Sequence, residues 1–127
     1  MELKVAGVAY TLLTWMTIGV HACFILFGIF GALIVWRHRR IALLHIPAVL
    51  WGSYMEFSGR LCPLTTLENR FRLLAGSSGY QEGFIEHYVL AVIYPSGLTV
   101  LMQYVLGSLL VLANAVAYLL IWRRGSS

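Results

Sequence analysis

Three side chains, His21, Glu56 and His87, could do chemistry that their apolar surroundings make costly to hold. An ionisable group at membrane depth costs several kcal/mol unless it is paired, so such groups are functional candidates by default. Two imidazoles and a carboxylate suit a divalent transition metal, with Glu86, Cys62 or Glu68 as further donors. Alternatively His21 and His87, on separate helices, could ligate a b-type haem iron from both faces. Arg60, Arg72, Tyr88 and Asn114 complete the polar set around them. The plainer reading is that these residues hydrogen-bond and charge-pair to lock a helical bundle. No motif among them specifies a substrate or a reaction, and an enzymatic role is left open.

The composition says what must position them. Of 127 residues, 60% are hydrophobic and 11% charged, and the mean hydropathy is +0.81. Soluble domains carry about 25% charged residues, so an ordinary water-soluble core is excluded. The length allows one domain of three or four spanning helices of about 20 residues each. The net charge of +4 comes mostly from arginines beside apolar runs, a pattern of helix-end anchoring in an anionic membrane. No basic face is interleaved with stacking aromatics, which argues against a nucleic-acid partner. Two cysteines make neither a disulfide framework nor a CxxC metal pair.

Periodicity then predicts an all-α, polytopic membrane protein: a four-transmembrane-helix antiparallel bundle with spans near 6–36, 41–58, 83–97 and 98–122. Each span carries one polar and small stripe: Thr14, Thr17, His21, Gly28 and Gly31; His45, Ala48, Gly52 and Glu56; Gly83, His87, Ala91 and Tyr94; Gln103, Gly107, Asn114 and Tyr118. Four inward stripes make a bundle with a polar interior the economical solution. His45 reads as satisfying a local polar neighbour beside the arginine turn Arg37–Arg40. Between the second and third spans, near 65–75, Thr65 and Glu68 fit a capping box and Gly76 a helix stop. Leu64, Leu67, Phe71 and Leu74 form one face of what reads as a short amphipathic surface helix. On its other side Glu68 and Arg72 are spaced as an exposed pair, worth about 0.3–0.5 kcal/mol.

Alternating four-span topology puts Arg37, Arg39 and Arg40 on one side of the membrane and Lys4, Arg60, Arg70, Arg72, Arg123 and Arg124 on the other. The densest basic cluster favours the arginine turn as cytoplasmic and the Cys62-Pro63-Leu64-Thr65 segment as external. If the short 83–94 run only dipped into the membrane and returned, Arg123 would instead join the arginine turn.

The runs Cys62-Pro63-Leu64-Thr65, Leu67-Glu68-Asn69, Gly83-Phe84-Ile85-Glu86-His87-Tyr88 and Tyr94-Pro95, with His45-Ile46-Pro47-Ala48-Val49-Leu50-Trp51-Gly52 before them, resemble a family of small bacterial four-helix membrane proteins known as DUF2784. The resemblance implies a multi-pass protein of the bacterial cytoplasmic (inner) membrane and brings no catalytic residues with it. The expected partners are the lipid bilayer and either other membrane subunits or a second copy, contacted through Gly28, Gly31 and Ala32 if these face outward.

Overall fold

The structure, a computed structural model, describes residues 1–77, 87–88 and 100–125. Its elements are α1 (Glu2–Arg37), a 3-10 turn (Arg39–Ile41), α2 (Ala42–Ser58), α3 (Pro63–Leu74) and α4 (Val100–Gly125). Every regular element among the described residues is helical. Two of them, α1 and α4, are long and apolar enough to cross a membrane. The span expected at 83–97 lies outside the described residues apart from His87 and Tyr88.

Local chemistry sets the helix ends. α1 runs unbroken for 36 residues because no proline interrupts it and no charge lies between Lys4 and Arg37. At 1.5 Å per residue it is about 54 Å long, against about 30 Å of bilayer hydrocarbon. Pro47 sits inside α2, in its second turn, where it removes only the bond to the Leu43 carbonyl. α2 ends at Gly59, whose φ of 66° is a left-handed conformation that side chains rarely adopt.

α3 starts differently from the sequence reading. Cys62 is its N-cap and Pro63 opens the helix, so Thr65 lies inside the first turn and no side chain caps it. Proline's fixed φ and missing N–H suit that first position, which makes the Thr65–Glu68 capping box unnecessary. At the other end Gly76 N donates to Leu73 O at 3.1 Å and Ser77 N to Arg72 O at 2.8 Å. With Gly76 at φ 84°, this is the paired-carbonyl stop that a glycine permits.

The chain divides into two compact units, Met1–Cys23 with Arg60–Leu98, and Phe24–Gly59 with Thr99–Ser127. The second unit contains the later turns of α1, with α2 and α4. α2 and α4 run antiparallel: Phe57 packs on Tyr104 at 6.1 Å and His45 on Tyr118 at 5.7 Å between ring centroids. α1 and α4 run parallel, since Asn114 bonds the Gly28 carbonyl and Arg124 lies over the Trp36 ring at 4.6 Å. α4 therefore ends beside the arginine turn, whereas alternating spans place Arg123 and Arg124 at the end opposite Arg37–Arg40. Gly59, where α2 ends, faces the Gln103 side chain near the start of α4.

The apolar core here is small: Ala32, Val35 and Ile121, with Ile41, Ala42, Ala117 and Tyr118 against them. Gly28, Gly31 and Ala32 are buried, so the patch considered for outside partners serves this unit instead. A Cβ on Gly31 would collide with the His45 ring, whereas one on Gly28 would meet nothing within 4 Å. His45 cannot retreat easily, because Phe27 stands edge-on to it at 5.1 Å and Tyr118 stacks beside it. We therefore expect Gly31→Ala to lower stability by about 1–3 kcal/mol through overpacking. Gly28→Ala should be neutral or raise it by up to about 1 kcal/mol through helix propensity. Thermal melting of both variants in mild detergent checks the contrast; equal shifts would mean that the His45 ring does not press on Gly31.

Candidate functional site

In the first unit the polar stripe of α1 and the polar side of α3 face each other. Thr14 and Thr17 are buried, and their hydroxyls return to the backbone carbonyls one turn back, Tyr10 O and Leu13 O, each at 2.8 Å. Those bonds satisfy the hydroxyls without spending a partner from another element. His21, one turn on, is only 4% exposed and lies within electrostatic reach of Glu68. Tyr10 stacks on Phe71 at 6.5 Å, which ties the first turns of α1 to the end of α3. A shallow groove beside this contact is lined by Thr11, Thr14, Trp15, Ile18, Arg72 and Ala75.

Glu68 is the centre of this unit. Its side chain is 0% exposed, and Oε1 accepts from Arg72 Nε at 2.9 Å and from the Tyr88 hydroxyl at 2.5 Å. Arg72 Nη2 also donates to that hydroxyl, which closes a ring of three side chains. The i,i+4 pairing expected from the sequence is therefore present, but it is buried and not exposed. Burial works against charge on Arg72, yet its bonds to Glu68 and Tyr88 outweigh this and raise its pKa. His87 stands edge-on to Tyr88 at 4.8 Å, and Thr65, also fully buried, precedes Glu68 on the same face of α3. Arg60 is exposed, Cys62 is half-buried, and both Cys23 and Cys62 are free thiols. Glu86 lies outside the described residues.

The second unit has its own polar cluster. His45, 0% exposed, contacts the Gly28 carbonyl through Nε2 at 3.3 Å and Tyr118 through Nδ1 at 2.7 Å. A carbonyl can only accept, so Nε2 carries the proton, and in the neutral ring Nδ1 accepts from the tyrosine hydroxyl. Asn114 Nδ2 donates to the same Gly28 carbonyl at 3.1 Å and to Leu110 O at 2.9 Å. The partner of His45 is thus a tyrosine 73 residues away, not a neighbour at the arginine turn. The sequence carried part of this signal, since Asn114 and Tyr118 are spaced to share a face. Glu56 belongs to this unit, half-buried, with its Cβ against Gly107.

Of the three residues singled out first, His21 and His87 belong to the first unit and Glu56 to the second. Among the described residues no group of three or more His, Cys, Asp or Glu is arranged to hold a metal ion.

A family described as a protein of unknown function, DUF2784, matches residues 11–119. The chain belongs to the DUF2784 family. No curated protein matches it, and no solved structure does. The DUF2784 match runs from α1 through α4 and so takes in the Glu68–Arg72–Tyr88 ring and the His45–Gly28–Asn114–Tyr118 cluster alike.

Proposed function

We propose that the chain is a multi-pass protein of the bacterial cytoplasmic membrane that performs no chemistry itself and acts as a structural subunit or assembly partner of a larger membrane complex. The observation that carries the membrane part is an inverted interior. Among the described residues the buried side chains include eight polar ones, Glu68 and His45 among them, and four apolar ones. The outside is the reverse: Leu33 is 69% exposed, Leu43 80%, Leu101 70% and Trp122 74%. Water would penalise that distribution, whereas lipid solvates the apolar exterior and requires polar groups to be satisfied inside.

α1 and α4 have the length to cross, and α2, at 17 residues, reaches the lower limit for a spanning helix. Three crossings, by α1, α2 and α4, put the arginine turn and Arg123–Arg124 together in the cytoplasm and the end of α2, with the α3 that follows it, on the outer side. Five arginines then stand inside against Lys4, Arg60, Arg70 and Arg72 outside, and Arg72 is already paired with Glu68. That balance agrees with the positive-inside tendency.

The subunit role is supported by where the polar groups are used. Glu68, Arg72 and Tyr88 bond one another, and His45 and Asn114 bond a backbone carbonyl, so these groups lock helices together. Photocrosslinkers at Leu43 and Leu101, exposed on α2 and α4, test this in intact membranes. The same partner should be captured from one position or both; recovery of only monomer or self-dimer would count against the subunit role.

A second reading is favoured by one observation, the enclosure of His21 beside Glu68 in the unit that also contains His87. There a transition metal or haem would take His21 and His87. Elemental analysis and a visible spectrum of the protein purified in mild detergent decide it. Stoichiometric metal or a Soret band would replace the subunit reading with this one.

A further inference from the structure

We infer that the arginine end of the second unit is a binding site for an anionic phospholipid headgroup. This rests on the membrane reading above and adds a ligand to it. Two stretches distant in sequence supply the site. Arg37 ends α1, Arg39 and Arg40 form the 3-10 turn, and Arg123 and Arg124 end α4. The fold brings these together: the Arg39 guanidinium occupies the space that a Cβ on Gly125 would need, and Arg124 lies over the Trp36 ring. All five arginines are exposed. The only acidic residue in this unit is Glu56, near the other end of α2.

The arginines at the ends of α1 and α4 are favoured by the helix dipoles, whose C-terminal ends are negative. Neither dipole reaches Arg39 and Arg40, which open a new helix. Five guanidiniums on one small surface repel one another unless an anion lies between them, and guanidinium binds phosphate oxygens in bidentate fashion. Depth decides the source of that phosphate. Trp36 and Trp122 flank the arginines at the ends of two apolar helices, where indole rings settle at headgroup level. A lipid headgroup is therefore the phosphate that meets this surface, and anionic lipids are the cytoplasmic leaflet's source of one.

The test uses the full-length protein with Trp15 and Trp51 changed to Phe, leaving Trp36 and Trp122 as reporters. It is reconstituted in phosphatidylcholine vesicles containing a small fraction of brominated phosphatidylglycerol or, in parallel, brominated phosphatidylcholine. The expected result is stronger quenching by the anionic lipid, weakened by salt. Arg40→Gln and Arg123→Gln, at two exposed positions, should each raise the anionic-lipid fraction needed for half-maximal quenching by roughly fivefold. Lys4→Gln with Arg70→Gln removes twice that charge elsewhere and should leave the selectivity unchanged. Equal quenching by the two lipids in the unsubstituted protein overturns the proposal whatever the variants do. So does an equal effect from the Lys4 and Arg70 control, which would reduce it to bulk charge. Loss of selectivity on adding inorganic phosphate at constant ionic strength would make this a site for soluble anions instead. Quenching by neither lipid would show that the protein does not enter the bilayer, so the membrane reading would fail along with the site.

Discussion

Glu68→Ala is expected to lower the stability of the detergent-solubilised protein by about 3–5 kcal/mol, the loss found when one partner of a buried ion pair is removed. The carboxylate is wholly enclosed and holds both Arg72 and Tyr88. Its removal takes away the charged acceptor to which both the Arg72 guanidinium and the Tyr88 hydroxyl donate. Glu68→Gln keeps the shape and one acceptor for Tyr88, so it should cost less, about 1–3 kcal/mol. Replacing Glu68 by Gln and Arg72 by Met together should recover part of the loss, because no uncompensated charge then remains inside; a double-mutant cycle measures that coupling. The raised pKa of Arg72 keeps the cation in place at neutral and mildly alkaline pH, so its contribution should be flat across the neutral range. A loss of only a few tenths of a kcal/mol for Glu68→Ala would be the signature of an exposed pair. It would mean that α3 lies on the surface with its polar side in water.

That distinction marks where the sequence could be read and where it could not. The 3.6-residue period located the stripe Thr14, Thr17 and His21, and all three are buried. The same period assigned Glu68 and Arg72 to one side of a short helix, and they do pair. What it could not supply was the direction that side faces. An amphipathic helix is ordinarily assumed to turn its charges to water, yet here Leu73 is 65% exposed and Leu74 51%, while Thr65 and Glu68 have no exposure. The membrane reading proposed above accounts for the reversal: in lipid, burying polar groups against the α1 stripe is the cheaper arrangement. Glu56, which follows an apolar run, is half-buried, whereas Glu68 is wholly enclosed.

His45 was misread for a different reason. Its Tyr118 partner is 73 residues distant, and helix periodicity reports which residues share a face but not which helix that face meets. Gly31 belongs to the inward stripe of α1 and would serve outside helices only if it faced outward, since small residues permit close approach. The approach is real, but the group that approaches is the His45 ring of the same unit.

Reporter enzymes fused after Arg124 and after Gly79 are expected to report opposite sides of the membrane, with Arg124 in the cytoplasm. Four alternating spans require the same side for both, so the outcome separates two topologies without a gradation between them. The argument for opposite sides rests on contacts within one unit. Trp36 near the end of α1 and Arg124 near the end of α4 touch, Phe57 near the end of α2 meets Tyr104 near the start of α4, and Gly59 faces Gln103. The end of α4 therefore shares a face with the arginine turn, and its start shares the opposite face with the end of α2. Among the described residues from Gly59 to Ser77 the only helix is α3, whose 12 residues span about 18 Å, too short to cross a hydrocarbon core about 30 Å thick. A reporter after Gly79 is therefore expected on the face where α2 ends. If both reporters were active on the same side, α4 would have to run the other way, and the contacts of Arg124 with Trp36 and of Gly125 with Arg39 could not form in the membrane. The anionic-lipid site would then lose one of its two halves, because Arg123 and Arg124 would lie a full bilayer away from Arg39 and Arg40.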